Sequence, residues 1–363
     1  MDCSNAHAWQ WLYPPLQSHA HGWLDVGDGH QLYWEMSGNP LGVPALFLHG
    51  GPGAGCRADD RRWFDPGHYR IVLFDQRGAG RSRPQGKLQA NTTQHLLLDI
   101  EALREHLQVD RWLLFGGSWG ATLALAYAQA QPQRVRAVVL RGVFLATAAE
   151  RRWLHAPDGA ATWHPAAAQD FVGVLGNRTQ AGLLRSYARR LGNGDTAVAQ
   201  AGELAAAKAW HAWESALMAL EQPPSQEGRA PRAARQVDDA AALASARIGV
   251  HYARHAYFLS DAQLLADAAR LRPLSGVIVQ GQRDLVTPPI SAQALHRAWP
   301  GSRLCRVAAA GHASSHPAMA RQLVAATDWC RSAQQPLDTA AMQSRSQDEP
   351  PEETQDERCH PER

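Results

Sequence analysis

Phe115-Gly116-Gly117-Ser118-Trp119-Gly120 is the stretch on which the reading of this 363-residue chain turns. Just before it, Arg111 to Phe115 is a short apolar run of the kind found in buried strands. Just after it, Ala121 to Gln131 (ATLALAYAQAQ) is rich in strong helix formers and is closed by Pro132. A strand, a tight glycine-flanked turn with a central serine, and then a helix form the setting that a nucleophile elbow requires. Gly116 and Gly120 suit such a turn because a Cβ at either position would collide with the neighbouring strand and helix. The turn lifts the serine hydroxyl out of the sheet and sets a helix N-terminus beneath it, where the dipole favours developing negative charge. G-x-S-x-G also arises by chance in an ordinary strand-to-helix turn, so its meaning rests on what the other strands bring to the same edge.

Those strands are legible on either side. Gly22 to Val26, the turn Gly27-Asp28-Gly29 and His30 to Met36 read as a β-hairpin, with Asp-Gly as the turn signal. Pro44 to Leu48 is an apolar strand ending in His49-Gly50-Gly51-Pro52-Gly53. Tyr69 to Phe74 is another, ending in Asp75-Gln76-Arg77-Gly78-Ala79-Gly80-Arg81-Ser82. His95 to Leu107 has helical periodicity, and Val135 to Leu140 is a strand. Gly276 to Gln280, Ala292 to Trp299, Arg303 to Val307 and Pro317 to Cys330 then read as strand, helix, strand, helix. Strands that are apolar throughout and alternate with helices indicate an α/β fold: a mostly parallel sheet covered on both faces.

Between the two halves, residues 145–265 are rich in Ala, Arg, Trp and Gln, with helical spacing and no convincing strand. Gln222 to Arg232 reads as a Pro/Gly-bearing loop within them. The expected organisation is a loosely ordered arm over 1–21, an α/β core over 22–144 and 266–331 with an inserted helical cap over 145–265, and a disordered tail over 332–363. From Ser332 onward there are eight acidic and three basic residues and no aromatic ones, a composition that cannot bury enough apolar surface to fold.

Hydrophobic residues at 45% and charged residues at 19% describe an ordinary globular chain with ample core. Net charge is +2, and no compact Lys/Arg run marks a nucleic-acid surface. Cys3, Cys56, Cys305, Cys330 and Cys359 are widely spaced, odd in number and form no C-x-x-C pair, which speaks against a disulfide framework or zinc site. No signal peptide and no membrane-spanning run of about 18 apolar residues is visible, so a cytoplasmic location is expected.

A serine nucleophile needs a base, a group to orient the base, and donors for the oxyanion. Asp284 follows the strand at 276–280 and His312 follows the strand at 303–307, both at the sheet edge where open α/β sheets hold their sites. His312 is expected to take the Ser118 proton, and Asp284 to fix its tautomer. The oxyanion donors are expected to be the Trp119 backbone N–H and a second N–H in the loop His49 to Gly53, whose glycines allow close backbone approach. That loop lacks the lysine and spacing of a phosphate-binding P-loop.

Together HGGPG (49–53), DQRGAGRS (75–82), GGSWG (116–120), LRGVF (140–144), GQRD (281–284) and AGH (310–312) resemble the proline iminopeptidases, also called prolyl aminopeptidases. These are serine peptidases of the α/β-hydrolase fold, and the resemblance covers roughly residues 22–330. It implies removal of an N-terminal proline from a peptide without a metal or organic cofactor. It further implies Ser118, Asp284 and His312 as the triad, and Gly51 and Trp119 as oxyanion donors. Trp210-His211-Ala212-Trp213-Glu214 matches the family's W-x-x-W-E pattern, so Glu214 is implied as a ligand of the substrate's amine. Phe144 is implied as a wall of the proline pocket.

The sequence departs from the family on the substrate side. In Ala246-Arg247-Ile248-Gly249-Val250-His251-Tyr252-Ala253 a second amine-binding Glu is replaced by Gly249 and a pocket Phe by Ala253. His316 stands where the family has a Glu shortly after the catalytic His, and the residues after Trp153 lack the usual tyrosine-bearing pattern. Glu203 and Asp239 are other cap carboxylates that could serve the amine. The departures keep open a hydrolase of another small amide or ester. A catalytically silent binding protein is the reading from a different class, and the intact Ser118, Asp284 and His312 argue against it. Haloalkane or epoxide chemistry on this fold needs a carboxylate where this chain has Ser118.

Overall fold

Val43-Pro44-Ala45-Leu46-Phe47-Leu48 (β3) shows how the core is built, because alternate residues of a strand point to opposite faces. Leu46 and Leu48 join one buried apolar cluster and Ala45 and Phe47 join a second on the other side of the sheet. The same split runs along the neighbouring strands, with Leu114 on one side and Leu113 and Phe115 on the other. A computed structural model describes residues 8–176, 182–192, 196–219 and 238–332 of the chain. The expected loop at Gln222 to Arg232 and the acidic tail beyond Ser332 lie outside the described residues.

The other strands are β1 (Ser18–Asp25), β2 (Gln31–Gly38), β4 (Tyr69–Phe74), β5 (Trp112–Ser118), β6 (Val135–Val143), β7 (Ser275–Gly281) and β8 (Ser302–Val307). They form one sheet in the order β1-β2-β4-β3-β5-β6-β7-β8. β1 and β2 make the antiparallel hairpin, and β2 runs antiparallel to β4. Every pairing from β4 across to β8 is parallel. On one face, α1 (Thr93–His106) and α2 (Trp119–Ala130) bring Leu96, Ile100, Leu123 and Leu125 to the first cluster. On the other, α10 (Pro317–Ser332) brings Met319, Leu323 and Ala326 to the second. β7 is followed by α9 (Pro289–Ala298). Between β6 and β7 the chain forms α3 (Ala148–His155), α4 (Pro165–Gly173), α5 (Leu183–Arg190), α6 (Ala197–Ala219), α7 (Asp239–Arg254) and the short α8 (Gln263–Ala266).

The N-terminal segment differs from the loose arm expected over 1–21. From Ala8 onward it is docked, beginning with a 3-10 turn (Ala8–Trp11) and passing into β1 at Ser18. Tyr13 is the anchor: its backbone exchanges hydrogen bonds with Arg62, and its hydroxyl donates to Asp328 on α10 at 2.6 Å. Leu12 and Leu16 pack on the second cluster. Pro14-Pro15 blocks regular structure but not extended chain, and the apolar residues around it supply the docking.

A charged network seats the segment after β4 against the hairpin. Arg77 is buried and donates to both carboxylate oxygens of Asp99 at 2.8 Å, to Asp28, and to the carbonyls of Val26 and Ala90. Asp99 is 1% exposed, so the pair sits in the interior, where an uncompensated charge is costly. Asp99→Ala is therefore expected to destabilise the fold by about 3–5 kcal/mol, read as a lower urea midpoint. Arg77→Met with Asp99→Leu should recover part of that loss, because it removes the unpaired buried charge while leaving the Val26 and Ala90 carbonyls without the guanidinium.

Candidate active site

Ser118 ends β5 with φ 59° and ψ −125°, in the left-handed half of backbone space that a side chain rarely occupies. The crowding that enforces this turn is measurable. A Cβ on Gly116 would lie 2.1 Å from the Gly120 carbonyl oxygen, and one on Gly120 would lie 2.0 Å from that of Leu48. Strand exit, helix start and the loop after β3 therefore meet backbone to backbone. α2 begins at Trp119, directly after the serine.

Asp284 and His312 arrive from the ends of β7 and β8. His312 Nδ1 is 2.9 Å from Asp284 Oδ2. The other carboxylate oxygen accepts the Val286 and Thr287 N–H groups at 2.9 and 2.7 Å, while Gln280 Nε2 and the Thr287 hydroxyl donate to Oδ2. Burial pushes the Asp284 carboxyl upward, but the charge and hydrogen bond of His312, with the Thr287 donors, outweigh it and hold it below its ordinary value. An ionised Asp284 can only accept, so Nδ1 carries the proton and Nε2 the lone pair, as a general base requires.

Two contacts with the end of β6 bring this pair to the serine. Val143 pairs with Ser118 in the sheet. The adjacent Gly142, at φ +56°, lies so close to the imidazole that a Cβ there would be 2.9 Å from His312 Cε1. Arg141 Nη1 donates to the His312 carbonyl at 2.7 Å, and its guanidinium lies across Gly117. The loop after β3 closes the other side. A Cβ on Gly50 would be 3.5 Å from Ser118 Cβ, and Gly51 takes φ +115° before a cis bond to Pro52. Gly51 and Trp119, the two expected oxyanion donors, thus belong to segments that flank the serine.

On the helices between β6 and β7, Trp210 and Trp213 set the orientation of α6. Phe171 of α4 stacks on Trp213 at 5.4 Å, and Tyr187 of α5 meets Trp210 edge-on at 5.4 Å. Glu214 follows, with Oε1 accepting from Trp210 Nε1 at 3.0 Å and Oε2 3.4 Å from His211 Nδ1. Its side chain is 45% exposed, and its charge helps raise the Tyr257 hydroxyl, an effect second only to burial. Tyr257 joins this region to the elbow: its ring stacks on Trp119 at 5.7 Å and meets Phe144 edge-on at 4.8 Å. His155 stacks on Trp210, and burial pushes it down to about 4, so it places no positive charge beside Glu214 at neutral pH.

Tyr257 has no sequence signal of its own. It lies in the run Ala256, Tyr257, Phe258 at φ 51°, 56° and 54°, and nothing in three non-glycine residues announces a left-handed turn. The alternative carboxylates are engaged elsewhere. Glu203 is buried against Arg247 Nη2 at 3.0 Å, and Asp239 pairs with Lys208 at the exposed start of α7. Gly249 faces Trp210, and a Cβ on it would be 3.3 Å from the indole nitrogen. Ala253 is buried in the first cluster. His316 lies ahead of α10, and its Nδ1 is buried without a hydrogen-bond partner among the described residues. Among those residues there is no cluster of three or more His, Cys, Asp or Glu able to hold a metal ion, and no helix long and apolar enough to cross a membrane.

The chain has clear relatives among known proteins. A family model described as the alpha/beta hydrolase fold matches residues 44–317. The chain is 44% identical over 319 residues to a proline iminopeptidase of Arabidopsis thaliana, covering 87% of this chain and 81% of that protein. It is 45% identical over 318 residues to a proline iminopeptidase of Xanthomonas citri, covering 87% of this chain and 98% of the relative. Among solved structures, an esterase from Exiguobacterium antarcticum superposes with a TM-score of 0.53 at 16% identity, over 86% of this chain and all (100%) of its own. That last likeness concerns the fold alone.

Two measurements check the site. Asp284→Asn should lower kcat by about 10⁴-fold with the fold intact, because the neutral amide permits the wrong imidazole tautomer. His211 offers a pH test. Burial pulls its pKa down, but the hydrogen bond and charge of Glu214 outweigh that and raise it. A raised histidine keeps its proton, and the stability of its ion pair, at low pH and loses both as pH rises through the folded value. If Glu214 is the amine ligand that the family resemblance implies, affinity for a cationic amine should therefore tighten as pH rises through that value, and His211→Gln should flatten the dependence. KM measured across pH in both proteins decides it.

Proposed function

The chain belongs to the proline iminopeptidase family of the α/β-hydrolase fold, and from that premise we propose that it is a serine aminopeptidase releasing N-terminal proline from peptides. The observation that carries the proposal is the placement of Glu214: a carboxylate that accepts an indole N–H on α6 and whose charge acts on the Tyr257 hydroxyl, the Tyr257 ring in turn packing on Phe144 and on Trp119, the residue after Ser118. A free prolyl ammonium is a cation on an apolar ring, and that pairing of surfaces suits it.

In the proposed reaction His312 Nε2 removes the Ser118 hydroxyl proton as Oγ attacks the prolyl carbonyl carbon. The resulting oxyanion is stabilised by the backbone N–H groups of Gly51 and Trp119. Collapse breaks the C–N bond, and His312 returns its proton to the departing amine, leaving proline esterified to Ser118. Water then attacks the ester, His312 again takes and returns the proton, and proline leaves with Ser118 restored. Asp284 stabilises the imidazolium at each stage. Glu214 binds the ammonium, and Phe144 forms part of the ring pocket. The division into a core over 22–144 and 266–331 and a cap over 145–265 belongs to the same reading. Supporting it, Glu214 and Tyr257 come from the inserted segment and the triad does not. A cytoplasmic location is likewise proposed, in keeping with unpaired Cys56, Cys305 and Cys330.

A second reading, hydrolysis of another small amide or ester, draws on Gly249 and Ala253, since a site with one fewer carboxylate and a smaller wall holds the amine less firmly. Turnover of proline p-nitroanilide beside its N-acetylated equivalent separates the two. The free-amine substrate should be strongly preferred, and Glu214→Gln should raise its KM roughly 10- to 100-fold, the equivalent of one hydrogen bond to a charged group. Equal turnover of blocked and free substrates, or faster turnover of simple acyl esters, would select the second reading.

A further inference from the structure

Gln76 follows β4 and belongs to none of the roles assigned above, yet both polar atoms of its side chain are engaged. Its Nε2 donates to the His49 carbonyl at 2.9 Å, and its Oε1 accepts the Trp119 indole N–H at 2.8 Å. Its backbone N–H donates to His49 Nε2 at 3.0 Å. The amide orientation is dictated by the partners, because an indole N–H can only donate and a carbonyl can only accept. A flipped amide would set donor against donor and acceptor against acceptor. Gln76 is 3% exposed and His49 2%, so no water compensates a lost partner.

The consequences run along the chain from His49. Since its Nε2 accepts from Gln76, its Nδ1 carries the proton and donates to the Gly50 carbonyl at 2.9 Å. This locks the backbone immediately before Gly51. The neighbouring Asp75 holds the other end of the same loop, with Oδ1 accepting the Cys56 N–H at 2.7 Å. Two consecutive residues after β4 thus pin both ends of the loop after β3. Gln76 alone also reaches α2, where Trp119 begins the helix.

We propose that Gln76 is a positioning residue that sets the spacing between the two oxyanion donors, clamping the His49–Gly51 backbone on one side and the Trp119 indole on the other. The inference rests on the reading of Gly51 and Trp119 as the oxyanion donors. An oxyanion needs both N–H groups at about 2.7–3.1 Å, closer tolerances than binding the uncharged ground-state carbonyl demands. Loss of the clamp therefore acts on the transition state more than on the ground state.

The test uses Gln76→Leu in the full-length protein, with proline p-nitroanilide as substrate and two competing ligands. Pyrrolidine-2-boronic acid forms a tetrahedral adduct with the serine, one of whose oxygens stands where the oxyanion would; proline itself does not. The expected result is a fall of roughly 10²-fold in kcat with KM little changed. Affinity for the boronic acid should weaken in parallel and that for proline should hold. Unchanged kcat in a protein of unchanged melting temperature, or equal weakening of both ligands, overturns the proposal. Should Gln76→Leu fail to fold, Trp119→Phe removes only the indole donor while keeping an aromatic ring. It should shift kcat and boronate affinity in the same direction, and no shift overturns the proposal as well. Ser118→Ala separates this inference from the reading beneath it. Full activity in that variant sinks the serine mechanism itself, whereas an inert Ser118→Ala beside unaffected Gln76 and Trp119 variants sinks only the clamp.

Discussion

The contact between the Leu48 carbonyl and Gly120 is the constraint on which the site depends. Three pieces of backbone, the exit of β3, the turn at Ser118 and the first turn of α2, occupy a space that leaves no room for a Cβ at Gly116 or Gly120. That closeness holds the serine in its unfavourable conformation, because relaxing φ would drive the helix start into the neighbouring strand. It also brings the loop from His49 to Gly53 alongside Ser118. The strain at one residue and the proximity of a second strand's loop have the same cause. Both are sustained by the large apolar clusters on the two faces of the sheet, which are too extensive for local strain of about 1–3 kcal/mol to disturb.

Much of this is legible from the residues. β3, β4, β5 and β7 announce themselves as apolar runs because both of their faces are buried, so no polar alternation interrupts them. Each then breaks at glycine or at a charged residue, and those breaks mark the strand ends where Ser118, Asp284 and the oxyanion loop lie. The elbow is the strongest case, since its glycines are demanded by contacts a few residues away. The hairpin of β1 and β2 is readable for a different reason: its Asp-Gly turn is local chemistry.

What resists reading is whatever depends on distant partners. Tyr257 sits between Trp119 and Phe144 only because Ala256 to Phe258 adopt left-handed backbone, and no residue type there signals it. Gln76 appears within the motif DQRGAGRS, but its reach to both His49 and Trp119 is a property of the sheet order, in which β4 lies next to β3 and β3 next to β5. The docking of Tyr13 on α10 joins residues from opposite ends of the described chain. The family resemblance singles out Glu214, which lies on α6, but not the Trp210 and His211 contacts that orient it. Nor does it show that Glu203 and Asp239 are already paired.

β6 and β7 are neighbours in the sheet, although six α-helices among the described residues, and much of the chain, separate them in sequence. The excursion from Phe144 to Leu274 therefore leaves and re-enters the sheet at adjacent points. Its length and content place no demand on strand register, since the ends it must join are fixed by the β6–β7 ladder. The residues proposed to recognise a substrate and the strand ends proposed to carry out bond cleavage thus lie on separate stretches of chain. In this chain Gly249 and Ala253 fall inside the excursion and the triad outside it. Substitutions in the excursion can therefore alter its own surfaces without touching the β6–β7 ladder.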